Sequence, residues 1–319
     1  MVFQLILDLR DIILVNMNNN LKKGIVTISF DCEAKWGMAD KDYDWLGLLD
    51  EKNVIESYKY ILSVLEEFNI PSTFAFVGAM TESKNQFGKN IDLLMSNQSH
   101  EKWIKPILKK IEIEEGWFFP NILELFGKAG IHEIASHGYT HIPFTLMKRE
   151  EAELELRMIK EWSMRQEIDC KTFIFPRNLR SYDDLLKSYG ISLFRDCPKD
   201  FKNKILPSSV NSFIEELNIF KLSEIFIEES NKIPGGVFIN WQNGKRRLIP
   251  TSISLIKYKN MLKHASKTNG VAHFWIHPHN FITSPSTKVL FENLCKDIAK
   301  QRDSGLINIF RQMDYLDIQ

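Results

Sequence analysis

No two cysteines in this 319-residue chain form a CxxC pair. Cys32, Cys170, Cys197 and Cys295 are scattered, and their spacing fits no structural zinc pattern. Scattered free thiols suit a reducing cytoplasm, and a cytoplasmic location is expected. Charge of one sign is not in excess either. Lys+Arg and Asp+Glu both total 41, which argues against a general nucleic-acid binder, whose surface normally carries a basic excess. No apolar run is long enough to span a membrane. The opening "MVFQLILDLRDIILVNMNNN" is broken by Asp8, Arg10 and Asp11, with no basic leader and no small-residue cleavage site. Residues 1–20 are therefore expected to be an N-terminal extension. Within them, residues 1–16 either precede a start at Met17 or form a short amphipathic helix on the body. Internal repeats and low-complexity linkers are also missing, so residues 21–319 are expected to form one domain.

What is present is an ordinary globular composition, 44% hydrophobic and 26% charged, enough to bury a sizeable core. The 22 Phe and 7 Trp could line a cleft, but packing in the core is the plainer use. β-branched and apolar runs alternate with helical stripes. Strands are expected at 24–31, 72–78, 132–137, 171–178, 191–196, 235–242, 271–281 and 306–316. Helices are expected at 53–70, 148–168, 181–190, 251–270 and 286–305. About seven βα units of this kind predict a parallel α/β sheet or barrel, whose chemistry sits on the loops after the strands. The polar groups Asp31, His137, Pro176 to Asn178, Asp196 and His277 all fall at such strand ends.

Two short stretches carry the chemistry. "SHGYTHI" (136–142) holds His137 and His141 one helical turn apart, so both rings can point to one side if the loop turns helically. "SFDCEAKWG" (29–37) ends the first strand, and Asp31 and Glu33, two apart, can project from one face with Cys32 turned away. A hydrolytic metal needs about three protein ligands and an open position, and a second carboxylate can serve as a base to the attacking water.

With "FIFPRN" (173–178) and "WIHPHNF" (275–281) added, these motifs in this order resemble the polysaccharide deacetylase (NodB-homology) superfamily of carbohydrate esterases. The resemblance spans roughly residues 24 to 316. It implies an irregular (β/α) barrel of about seven parallel strands. It also implies metal-dependent hydrolysis of an N-acyl group, acetyl or formyl, from a sugar such as a surface-glycan precursor or a polysaccharide. By the same resemblance, Asp31 is the general base and His137 and His141 are metal ligands, with zinc the expected ion. Glu33 is the third ligand, with Cys32 as the alternative. His277 is the general acid, with His279 as the second choice, and Arg177 orients the base from a shifted position, since the family's Arg-x-Pro reads Pro176-Arg177-Asn178 here. The later Asp-Trp pair of the family is not evident: Asp196 is followed by Cys197, and Trp241 fits an acyl pocket or the core. A backbone N–H near 138–142 would hold the developing oxyanion. His273 is expected to be structural, and His100, His132 and His264 to lie at the surface. A metal-dependent amidase on a non-sugar amide and a non-catalytic carbohydrate-binding relative are the competing readings.

Overall fold

The computed structural model describes residues 23–127, 130–198, 208–225 and 231–318. The N-terminal extension, residues 1–20, lies outside them. Among the described residues nine strands form one sheet: β1 (Gly24–Cys32), β2 (Thr73–Phe76), β3 (Glu133–Ser136), β4 (Thr172–Ile174), β5 (Leu193–Arg195), β6 (Lys232–Ile233), β7 (Val237–Phe238), β8 (Val271–Ile276) and β9 (Ile307–Ile309). The order is β6-β5-β4-β3-β2-β1-β8-β7, and every ladder between these strands is parallel. β6 and β7 end the path without a ladder between them among the described residues, so the barrel is curled but not closed by hydrogen bonds, an irregular (β/α) architecture.

β1 is the axis of the fold. All nine of its residues are buried, as expected of a parallel strand covered on both faces. One edge pairs with β8, in register Ile25 with Val271 through Phe30 with Ile276. The other edge pairs with β9 at Gly24 to Val26 and with β2 from Ser29 to Cys32. The longer helices are α1 (Glu51–Glu67), α2 (Gln98–Ile113), α3 (Arg149–Arg165), α4 (Ser208–Leu217), α5 (Thr251–Thr268) and α6 (Pro285–Asp303). α1 shows why the helical stripe was legible. Asp50 caps it by accepting from Asn53 N at 2.7 Å, and Val54, Tyr58, Ile61, Val64 and Leu65 turn one face into the core.

Expected and observed elements differ mainly in length. The 171–178 strand stops at Ile174 and the chain turns into a 3-10 segment at Pro176–Asn178. The helix expected at 181–190 is a 3-10 helix, Asp183–Tyr189, and the last strand is three residues long. β6 has no counterpart among the expected strands; two residues are too few to show a period. The aromatics largely serve the core, as Trp36 and Trp162 are fully buried. No helix of the described residues is long and apolar enough to cross a membrane.

Candidate metal and catalytic site

The end of β1 sorts its side chains by alternation. Cys32 is fully buried and directs its Sγ to Phe30 O at 3.5 Å, and burial drives its thiol well above the usual range. Asp31 and Glu33, 2% and 4% exposed, share the opposite side. Both carboxylates feel the same two imidazoles, His137 and His277. The expectation of paired acids with the cysteine turned away is met.

The loop after β3 carries the histidines to Glu33. Glu33 Oε2 lies 2.8 Å from His141 Nε2 and 3.4 Å from His137 Nε2. The two rings are 4.8 Å apart, centre to centre. They do not meet through a helical turn. His141 has φ +60, in the left-handed region, and this folds its ring back over the strand end. Glu155 of α3, fully buried, holds the loop in that shape. It accepts from Tyr139 N at 2.8 Å, from Thr140 N at 2.7 Å and from Thr140 Oγ1 at 3.1 Å. His100, expected at the surface, is buried against Glu155 at 3.2 Å. Gly138 N is taken by Ser136 Oγ. Three of the N–H groups considered for an oxyanion are thus already committed.

This donor set fits a divalent ion. His137 Nδ1 sits 2.8 Å from Ile174 O, a carbonyl that can only accept, so Nδ1 carries the proton and Nε2 turns a lone pair toward Glu33. Both ring nitrogens of His141 are buried without a hydrogen-bond partner, because the short approach to Glu33 is not aligned for one. Burial pushes His141 below its usual value, which keeps it in the neutral form a metal takes. Burial pushes Glu33 up, but the imidazoles around it, His277 and then His141, hold it well below the usual carboxylate range. Gly37 completes the fit. A Cβ there would lie 2.1 Å from the carboxyl carbon of Glu33, so a side chain at that position would displace the carboxylate.

Asp31 is gripped from another strand. Arg195, at the end of β5, donates to it with Nη1 at 2.7 Å and Nη2 at 2.6 Å. Burial raises the Asp31 carboxyl, Arg195 together with His137 and His277 outweighs this, and the net value lies below the usual range. The expectation that Arg177 orients Asp31 is therefore corrected. Arg177 has φ +57, which turns it outward to Asp40, with Nη1 2.9 Å from Oδ2, and over the Trp103 ring at 5.1 Å. Its neighbour Asn178 turns inward and accepts from Arg195 Nη2 at 3.0 Å. Below them Arg195 Nη1 also reaches Ser29 Oγ at 3.3 Å, which meets His273 Nε2 at 2.8 Å. His273 is interior scaffolding, as expected, and burial together with Arg195 pushes it down to about 3.

His277 follows β8 and places Nε2 3.3 Å from Glu33 Oε1. Asn280 Oδ1 lies 3.2 Å from its Nδ1 and 3.3 Å from its backbone N. His279 is 3% exposed and stacks between His277 and Trp45. Trp241 donates to Thr283 Oγ1 and meets Trp45 edge-on at 5.6 Å, so it forms an outer wall of this stack.

Residues 19–190 match the profile of the polysaccharide deacetylase family, more than half of the chain. The chain belongs to the polysaccharide deacetylase family. Among curated proteins none matches the sequence. Solved structures agree on the fold. A putative polysaccharide deacetylase from Mycobacterium smegmatis superposes with a TM-score of 0.50 at 14% identity, over 90% of this chain and 93% of its own. Puue allantoinase gives 0.51 at 12% identity, over 93% and 90%. A 4-alpha-glucanotransferase from Thermococcus litoralis gives 0.50 at 17% identity, over 92% of this chain and 38% of its own.

For a polysaccharide deacetylase family member, the matched stretch holds Asp31, Glu33, His137 and His141, while Arg195 and His277 lie beyond it. Sequence reasoning missed Arg195 and Asn280, and placed Asn178 at a strand end without giving it a partner. Arg195 stands one residue before Asp196, which was picked out instead; Asp196 turns to Arg180 at 2.9 Å. Leu193 and Arg195 share a strand face, and an arginine ending a buried apolar run was the available signal.

Proposed function

We propose that this chain hydrolyses the N-acyl group of an amino sugar, using a divalent ion, zinc by preference, held by Glu33, His137 and His141. The observation that carries the reading is the convergence of Glu33 with His137 and His141 beside an Arg195-gripped Asp31. A binder would need no such aspartate. The ion supplies Lewis acidity to the acyl carbonyl and the attacking water. Asp31 accepts the water's proton at a carboxylate oxygen, and Arg195 with Asn178 fixes where that oxygen points. His277 gives a proton from Nε2 to the departing amine nitrogen, and Asn280 sets its tautomer by holding Nδ1. The products are a free amino sugar and a small carboxylate. Zinc suits two imidazoles and one carboxylate.

The test is incubation of zinc-loaded protein with N-acetyl and N-formyl amino sugars, presented free, as oligosaccharides and as nucleotide sugars, and with cyclic amides. New primary amine and stoichiometric carboxylate from a sugar are expected. Turnover of a cyclic amide with none on any sugar would overturn the substrate class.

A further inference from the structure

His279 is a buried imidazole with nothing to bind. It is 3% exposed, and neither ring nitrogen has a hydrogen-bond partner. Its ring lies between His277, 4.9 Å away at 16°, and Trp45, 5.6 Å away at 21°. A phenyl ring would fill such a stack without burying two polar atoms, so packing alone does not account for a histidine there.

The atoms facing it do. Glu33 presents its two oxygens to two different sets of imidazoles: Oε2 to His137 and His141, Oε1 to His277. One donor atom each from Glu33, His277 and His279 lie within 4.8 Å of one another. The tautomer of His277 is fixed. Its backbone N–H reaches Asn280 Oδ1, which identifies that atom as the oxygen, and the same oxygen faces Nδ1, so Nδ1 is the donor. Nε2 then turns a lone pair toward Glu33 in the neutral ring. His137 is held the same way by Ile174 O. A histidine whose far nitrogen donates to an oxygen is the usual support for a metal ligand.

We infer that Glu33, His277 and His279 form a second divalent-cation site, joined to the Glu33–His137–His141 site through the shared carboxylate. Two imidazoles and a carboxylate favour zinc, cobalt or nickel over magnesium or calcium. Two cations on one carboxylate repel, so the second ion binds more weakly than the first. Filling the site has a chemical consequence that rests on the proposed function. His277 Nε2 can carry a proton or ligate an ion, not both. Loading the second ion displaces that proton to solvent and removes the donor for the leaving amine. The site is thus an inhibitory one, and excess metal slows turnover.

The experiment uses the full chain, freed of metal and titrated with zinc by calorimetry, with bound zinc counted by elemental analysis after dialysis. Two equivalents are expected in the parent, the second at least tenfold weaker. His279→Phe keeps the stack and is expected to bind one, with the first affinity within threefold of the parent. His137→Ala is expected to retain the weaker equivalent. Amide hydrolysis by the parent should fall at least tenfold as the second equivalent binds, and His279→Phe should escape that fall. A single equivalent in the parent, or a second one that persists unchanged in His279→Phe, overturns the site. Two equivalents in the parent and one in His279→Phe, with no hydrolysis of any sugar amide, would leave the site standing and the proposed function refuted.

Discussion

Arg195 and Asp31 meet through two parallel N–H···O bonds, at 2.7 and 2.6 Å, both residues buried and 164 positions apart in the chain. A guanidinium fork is matched to a carboxylate in a way an ammonium is not. Arg195→Lys should therefore keep the charge but loosen Asp31, lowering kcat by roughly 10²-fold at unchanged zinc content. Arg195→Ala strands a buried carboxylate and should cost about 3–5 kcal/mol of stability by urea titration. Asp31→Asn is the companion: it should fold and bind zinc, with kcat down by roughly 10²–10⁴-fold. Parent-level turnover in Asp31→Asn would remove Asp31 from the base role.

Metal content separates Glu33 from Cys32. His137→Ala and Glu33→Ala should each leave the tighter zinc equivalent unbound at concentrations that saturate the parent. Cys32→Ser should bind zinc as the parent does, because its Sγ points into the core at Phe30 O. Zinc lost from Cys32→Ser and kept in Glu33→Ala would reverse the assignment. Glu155→Gln, which weakens the grip on the histidine loop, should lower zinc affinity about 10–100-fold.

The leaving group reports on His277. An amide nitrogen needs a proton to depart, whereas an aryl ester's phenolate does not. At one zinc equivalent, His277→Ala should lose roughly 10²–10⁴-fold in kcat/KM on an N-acyl sugar and little on an aryl acetate. Equal losses on both substrates would point to a structural part for His277.

His132 gives a pH signature away from the site. Burial, with Arg311 adding to it, pushes its imidazole down to about 4, against about 6.5 in an unfolded chain. Between these values the unfolded state holds more protons than the native one, so stability falls as pH drops from about 6.5 toward 4 and is fully present above. The ring packs edge-on against Phe74 at 5.4 Å, so His132→Phe keeps the contact without the titration. In chelator-treated protein, the urea midpoint of His132→Phe should decline less than that of the parent between pH 7.5 and 5. Identical slopes would exclude His132 as a contributor.

Residues brought together by short stretches of chain were legible in the sequence as neighbours. Asp31 and Glu33 are two apart at the end of β1, and His137 and His141 stand together on the loop after β3. The parallel α/β class was legible for the same reason, since β1 is a continuous buried β-branched run and α1 carries a helical stripe. What stayed hidden depends on chain segments far apart. Nothing near Arg195 announces Asp31, and Arg177 sat beside an attractive proline while its left-handed φ sent it to Asp40 instead. His279, second choice for the general acid on sequence, is placed beside His277 and Trp45 only by the fold. β6 was too short to leave a pattern.

The placement of β1 between β2 and β8 sets an order of assembly during synthesis. Glu33, His137 and His141 are all made before residue 142, and β1, β2 and β3 pair among themselves. Arg195 arrives later, and His277 only with β8, the partner on the other edge of β1. At about 5–20 residues per second, on the order of ten seconds separates the last ligand from the proton donor. Under the proposed function, the ion site, once Glu155 and Ile174 have followed to hold the histidine loop, is complete before the proton donor is made.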